Sequence, residues 1–328
     1  MSAGRDEAVV LVTPRSYRDA DPDVVARLES SVGVVRYNDR GRPLTDEELR
    51  AELADVDGVI AGLDPYNGEV LAAAPRLRCI ARYGIGTERV DLTAAAECGV
   101  VVTNTPEANA NAVAELALAL ILALLRGIPA AERRARGGEW KPHAGDELAG
   151  LTVGIVGLGR IGSGLARKLR ALDARVLAHD PYVGGDADPG VDLIGLDELL
   201  ARSSVVSLHA PVTAETLDLI DAGALAAMPA GAFLVNAARG ELVVEDDLAA
   251  ALASGHLTGA ALDSLRVEPP GRDHPLAARD DVILTPHLGA QTRQARQAMA
   301  RSSTDDLLAV LDGRAPRNPV SRASARSG

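Results

Sequence analysis

The sequence predicts an α/β protein built from two doubly wound parallel-sheet domains, and three observations carry that prediction. Short apolar runs alternate with helically periodic stretches along nearly the whole chain, the pattern of a parallel sheet covered by helices. The 328 residues are more than one core usually holds, which suggests about two domains. Near the middle, one strand-turn-helix unit carries three glycines at a fixed spacing.

In chain order, the apolar runs 8–12, 32–37, 58–61, 77–81 and 100–102 read as strands. Asp21-Pro22 and Thr45, with Glu48 three residues on, read as helix starts, the second as a capping box. This α/β unit has no nucleotide fingerprint of its own. Its most informative piece is Arg82-Tyr83-Gly84-Ile85-Gly86-Thr87. Two glycines past a strand's C-terminal end can turn backbone N–H groups toward an anion, or can simply make a tight turn.

Thr103-Asn104-Thr105-Pro106 breaks the pattern. Residues 109–125 then read as one long helix whose apolar part, 116–125, is too short for a bilayer span of about twenty residues. A helix buried between domains or subunits is the expectation. Residues 126–140 are polar, Gly137-Gly138 ends any helix there, and 103–150 reads as the crossover between domains.

The glycine unit follows. Residues 152–157 form a buried strand, and Ile161, Leu165, Leu169 and Leu172 mark the core face of a helix. Between them Gly157, Gly159 and Gly162 fit G-x-G-x-x-G: a tight bend, close approach to a pyrophosphate, and close helix–strand packing. The helix N-terminus offers unpaired N–H groups to phosphate oxygens. A second strand, 174–179, ends in Asp180, eighteen residues past Gly162, where a carboxylate can bind both ribose hydroxyls. This Rossmann pattern binds a dinucleotide, and the acid favours NAD over NADP.

Beyond Asp180 the alternation resumes with strands 205–209, 232–236, 259–263 and 282–285, and helices near 197–201, 221–227 and 245–254. Ligand-facing residues lie just past strand C-termini, so the candidates are His209, residues 237–240, Asp263, Glu268 and His287. A last long helix, from 291 to about 311, can pack back across the first domain, and 314–328 should fray.

A net charge of −12 without clustered Lys or Arg argues against a nucleic-acid surface. Cys79 and Cys98 show no disulfide or zinc spacing and are expected to be buried, reduced thiols. No metal site is read. The first apolar run is too short for a signal peptide, so a cytoplasmic protein is expected, with no membrane partner.

A dinucleotide oxidoreductase acting on a hydroxyl needs a group that takes the O–H proton, and histidine titrates nearest neutrality. His143, His179, His256 and His274 read as solvated or structural. His209 and His287 cap buried strands, and the setting TPHLGA favours His287. Glu268 is the candidate carboxylate to orient its ring. Arg239 offers a planar two-pronged donor to a carboxylate or carbonyl.

The segments around Gly157–Gly162 and Asp180, with HAPVT, NAARGEL, ALDSLRVEP and TPHLGA, resemble the D-isomer-specific 2-hydroxyacid dehydrogenase family over nearly the whole chain. The resemblance implies a homodimer in which a flavodoxin-like substrate domain, 1–103 and 292–328, faces a Rossmann NAD domain, 104–291, across a cleft. It implies Arg239, Glu268 and His287 as the catalytic triad. It also implies substrate contacts from Arg82, Tyr83, Gly84, Ile85 and Gly86, with Ile85, Arg160, Ile161, Ala210, Ala237, Ala238, Asp263 and Gly289 lining NAD beside the fingerprint.

Within the family the chain looks most like short phosphoglycerate dehydrogenases. Arg82 matches their second phosphate-side arginine, but Ala61-Gly62-Leu63 stands where they place another. The basic stretch after Trp140 is shortened to Lys141-Pro142-His143, Ser264 replaces a valine, and Thr87-Glu88-Arg89 replaces an Asp-Asn pair. Reduction of hydroxypyruvate, glyoxylate or a phosphonate 2-oxoacid is the alternative substrate reading. An NAD(H)-sensing, corepressor-like binding protein is the reading from a different class.

Overall fold

The computed structural model describes residues 5–184 and 190–320. It divides into two compact units, one holding the chain up to Asn109 and again from Ala290, the other Ala110–Gly289. The first division falls past Thr103 because Asn104 and Thr105 are tied to the first unit. The Asn104 N–H donates to the Asn318 carbonyl and the Thr105 N–H to the Gly84 carbonyl.

The first unit runs β1 (Val9–Val12), α1 (Arg15–Arg18), α2 (Pro22–Ser31), β2 (Val34–Tyr37), α3 (Asp46–Glu52), β3 (Gly58–Ala61), α4 (Gly68–Ala72), β4 (Cys79–Arg82), α5 (Leu92–Glu97) and β5 (Val101–Thr103). The strands pair in parallel in the order β2-β1-β3-β4-β5, the flavodoxin-like order. The expected helix starts are present: Asp21 accepts N–H bonds from Asp23 and Val24, and Thr45 and Glu48 close a capping box. β3 and β4 are buried throughout, so they read as apolar runs without alternation.

In the second unit come α6 (Ala110–Leu125), α7 (Ile128–Arg136), β6 (Thr152–Val156), α8 (Arg160–Arg170), β7 (Arg175–His179), β8 (Asp192–Leu193), α9 (Leu196–Arg202), β9 (Val205–Leu208), α10 (Ala222–Ala227), β10 (Ala232–Asn236), α11 (Glu245–Ala253), β11 (Leu257–Leu262) and β12 (Val282–Leu284). Here the parallel order is β8-β7-β6-β9-β10-β11-β12, with the winding reversing between β6 and β9. At such a switch point the loops past the strands diverge and leave a crevice for a ligand. The chain then returns to the first unit as α12 (Arg293–Leu311), whose Met299, Ala300, Leu307 and Leu311 join the core of Val10, Val12, Ile60 and Cys79. Each such large buried side chain is worth about 1.5–3 kcal/mol of hydrophobic stabilisation.

Several expectations are corrected. α6 buries Val113, Ala117, Leu120, Ile121 and Leu124 within its own unit, against Val153, Leu165 and Val235, rather than only between domains or subunits. In the polar stretch 126–140, α7 forms and ends at Gly137, its C-cap, where the glycine pair is expected to end any helix. Pro129 suits its first turn, and Arg133, Arg134 and Arg136 complement the dipole of its last, while no apolar stripe announces it. Cys98 is exposed, although Cys79 is buried. Residues 314–320 do not fray: the Val320 N–H donates to the Val102 carbonyl at 2.8 Å, and Asp306 accepts from the Arg317 N–H and the Asn318 amide. The remainder of that tail, 321–328, lies outside the described residues. Among the described residues no single helix is long and apolar enough to cross a membrane.

Candidate active site

The glycine turn joins β6 to α8 at the switch point. Gly157 has φ +93°, and a Cβ there would lie 2.7 Å from both the His209 carbonyl carbon and the Ala210 nitrogen. Only glycine lets the ends of β6 and β9 meet this closely. A Cβ at Gly162 would meet the Gly157 carbonyl oxygen at 2.0 Å, so the third glycine seats α8 on the turn, whereas a Cβ at Gly159 would meet nothing within 4 Å. The open face thus lies at Gly159, the N-cap of α8, where Arg160 and Ile161 begin the helix. Asp180 closes the cradle, accepting from the Leu158 N–H at 2.8 Å and the Tyr182 N–H at 3.0 Å.

Three loops follow the adjacent strands β10, β11 and β12. After β12, Nδ1 of His287 lies 3.0 Å from Oε2 and 3.2 Å from Oε1 of Glu268. The Nδ1 proton therefore faces the carboxylate, and Nε2 is the nitrogen left to exchange a proton with a ligand. The Glu268 hydrogen bond raises the His287 pKa above its ordinary value; burial and Arg239 oppose the shift, and the Glu268 and Asp263 charges reinforce it. Burial pushes the Glu268 carboxyl up, but its hydrogen bond and charge contact with His287, the Leu265 N–H and Arg239 outweigh burial and hold it lower than usual.

His287 sits at φ +53°, which L-residues seldom adopt and which costs on the order of 1 kcal/mol. Asp263, buried at the end of β11, enforces it. Its carbonyl accepts the His287 N–H at 3.0 Å, while its carboxylate accepts from the Thr285 hydroxyl (2.6 Å), the Leu288 N–H (2.6 Å) and the Gly289 N–H (2.8 Å). After β10, the Asn236 side chain accepts from the Ala238 N–H and donates to the Arg239 carbonyl, shaping the Ala237-Ala238-Arg239 turn. Arg239 itself donates to the Ala238 carbonyl at 2.8 Å.

His209, the rival, is disfavoured as a proton carrier near neutrality. Burial pushes its pKa down to about 4, and its Nε2 lies 2.8 Å from the Ser207 hydroxyl. His143, His179 and His256 each contact a backbone carbonyl, and His274 pairs with Glu245.

In the first unit, the loop after β4 holds Tyr83, Gly84, Ile85 and Gly86. The carbonyls of Gly84, Ile85 and Gly86 accept from the Thr105 N–H, the Asn104 amide and Arg82 Nε. No protein partner takes the N–H groups of Gly84, Ile85 and Gly86 among the described residues. Arg82 is buried and also donates to the Ala61 and Gly62 carbonyls, so its guanidinium braces the loop instead of standing open to a phosphate. The Tyr83 ring is buried against Tyr17, with its hydroxyl donating to the Arg296 carbonyl.

Residues 118–289, just over half of the chain, match the model of the D-isomer specific 2-hydroxyacid dehydrogenase NAD binding domain. The chain belongs to this family. It is 44% identical over 297 residues to a D-3-phosphoglycerate dehydrogenase of Mycobacterium tuberculosis, covering 89% of this chain and 55% of that protein. The chain thus spans about half the length of the phosphoglycerate dehydrogenases it matches. It is 39% identical to a glyoxylate reductase of Thermofilum pendens, with 89% of each protein covered. The crystal structure of the TT0316 protein from Thermus thermophilus superposes with a TM-score of 0.88 at 40% identity, covering 95% of this chain and all of that one.

As in other 2-hydroxyacid dehydrogenases, the cofactor is NAD. The cradle fits it: an open second glycine at a helix N-terminus for the pyrophosphate, and Asp180 at the end of β7 for the ribose. Sequence reasoning missed Asn236 and Thr285 as shapers of the loops bearing Arg239 and His287. Both lie inside or beside the quoted motifs, but nothing in a residue's type tells which neighbouring backbone it will bind.

Proposed function

We propose that the protein is an NAD-dependent D-2-hydroxyacid dehydrogenase that interconverts a small D-2-hydroxyacid and its 2-oxoacid. The observation that carries this reading is the His287–Glu268 pair, whose Nδ1 contact leaves Nε2 for the substrate. NAD(H) supplies the hydride chemistry when bound. In oxidation, neutral His287 accepts the hydroxyl proton at Nε2 while a hydride leaves the carbon that bears the hydroxyl, so that the 2-oxo group forms; in reduction, the imidazolium returns the proton to that oxygen. Glu268 holds the Nδ1 proton and offsets the ring's positive charge. Arg239 binds and polarises the 2-oxo or carboxylate oxygens, and the N–H groups of Gly84, Ile85 and Gly86 take the substrate carboxylate. Ile85, Arg160, Ile161, Ala210, Ala237, Ala238, Asp263 and Gly289 line the cofactor.

Two observations favour an unphosphorylated 2-oxoacid such as glyoxylate or hydroxypyruvate over a 3-phosphoglycerate substrate. Arg82 is spent on backbone carbonyls, and Leu63, 52% exposed, follows β3 where family phosphoglycerate dehydrogenases carry an arginine. NADH oxidation across a panel of 2-oxoacids, phosphohydroxypyruvate included, tests both layers. Failure with every member sinks the dehydrogenase reading in favour of an NAD(H)-sensing protein; a strong preference for the phosphorylated member reverses the substrate choice.

The same proposal includes a homodimer, supported by Trp140 at 88% and Ile128 at 54% exposure on or beside α7, and testable by sedimentation of a Trp140→Ala variant. It includes a cytoplasmic setting, which suits the free thiols Cys79 and Cys98.

A further inference from the structure

A second histidine–carboxylate pair lies near the first. Nε2 of His274 is 3.0 Å from Oε2 of Glu245, with the side chains only 12% and 16% exposed. Nδ1 of His274 accepts the Leu276 N–H, which places the ring proton on Nε2, where it donates to Glu245. The other oxygen of Glu245 accepts the Arg266 N–H at 2.8 Å. The neighbouring peptide N–H, that of Leu265, donates to Oε1 of Glu268 at 3.0 Å. Arg266 is further held by Asp218 and by the Glu241 and Val243 carbonyls. Gly240, next to Arg239, packs against the same turn so closely that a Cβ there would lie 2.0 Å from the Leu265 carbonyl carbon.

We infer that Glu245 and His274 are positioning residues for the catalytic dyad: together they clamp the Leu265-Arg266 turn, and with it the carboxylate of Glu268 against His287. The inference rests on the dehydrogenase reading for its consequence, but not for its measurement. Glu245 stands at the first position of α11, and His274 is anchored next to Leu276, a fully buried core residue. The clamp therefore ties the exposed side of the dyad to the buried core, and a carboxylate held loosely at an exposed edge would otherwise sample many rotamers.

The readout is the titration of His287, whose charged neighbours include Glu268, Arg239 and Asp263. In the full chain carrying labelled histidine, NMR follows the His287 ring, assigned by its loss in His287→Ala, alongside the pH profile of 2-oxoacid reduction. His274→Leu should lower the His287 pKa by about half a unit and shift the alkaline limb of kcat/KM equally, with kcat down about tenfold and NADH affinity within about twofold. His274→Gln, which keeps a donor near Nε2, should restore both. Glu245→Gln, which keeps the shape and loses the charge, should move the titration the same way if His274→Leu does not fold. If neither Glu245→Gln nor a folded His274→Leu moves the His287 titration, whatever happens to Tm, the pair is structural only and the inference is overturned. A wild type that turns over no 2-oxoacid sinks the dehydrogenase reading instead, while the NMR titration still decides the clamp.

Discussion

Both carboxylate oxygens of Glu268 lie within hydrogen-bonding reach of Nδ1 of His287, at 3.0 and 3.2 Å, with the two side chains 34% and 38% exposed. That contact stabilises the imidazolium, so the ring stays protonated above the ordinary histidine pKa of 6.5.

The pH dependence follows from that direction. Reduction needs the imidazolium, so it should persist above pH 6.5 and fail as pH rises through the raised pKa; oxidation needs the neutral ring and should rise over the same window. Glu268→Gln should draw the alkaline limb of reductive kcat/KM down by about one unit, and His287→Ala should cost several orders of magnitude at every pH. A limb that stays put in Glu268→Gln would detach the carboxylate from the histidine's titration.

Arg239→Lys keeps the charge and loses the planar fork. We expect kcat/KM to fall about a hundredfold, or about 2.7 kcal/mol of transition-state stabilisation. Near-native kinetics would place the substrate's oxygens elsewhere.

Asp180 already accepts two backbone N–H groups at the end of β7, which hold its carboxylate in place. A 2'-phosphate there meets repulsion, so kcat/KM should favour NAD over NADP at least tenfold, about 1.4 kcal/mol. Equal use of the two cofactors would contradict this role for Asp180.

Asp263→Ala strips three donors of their acceptor: the Thr285 hydroxyl and the Leu288 and Gly289 N–H groups. The Gly289 N–H is buried and the other two donors are partly so; a buried donor left unpaired costs about 1–3 kcal/mol, so urea unfolding should show a loss of about 2 kcal/mol. Activity should fall with it, since His287 would lose the frame that holds φ at +53°. Unfolding indistinguishable from wild type would show that water replaces the carboxylate.

Local sequence sufficed for the α/β class and the parallel strands, and it singled out Gly157, Gly159, Gly162 and Asp180, which the fold gathers past the ends of β6 and β7, and Glu268 and His287, which it brings within hydrogen-bonding distance. These are legible because they depend on local periodicity and on short motifs whose spacing is fixed by a single turn. Even the capping box at Thr45 and Glu48 needs only four consecutive residues. Long-range contacts were needed to show that Arg82 braces its own loop, that its surroundings lower the His209 pKa, and that Asp263 props His287 from an adjacent strand. The same holds for Glu245 and His274, twenty-nine residues apart and joined by one hydrogen bond. A side chain's charge and reach are written in its type, but whether it meets water, a carbonyl or a ligand depends on which distant strands the fold brings beside it, and no window of neighbouring residues contains that information.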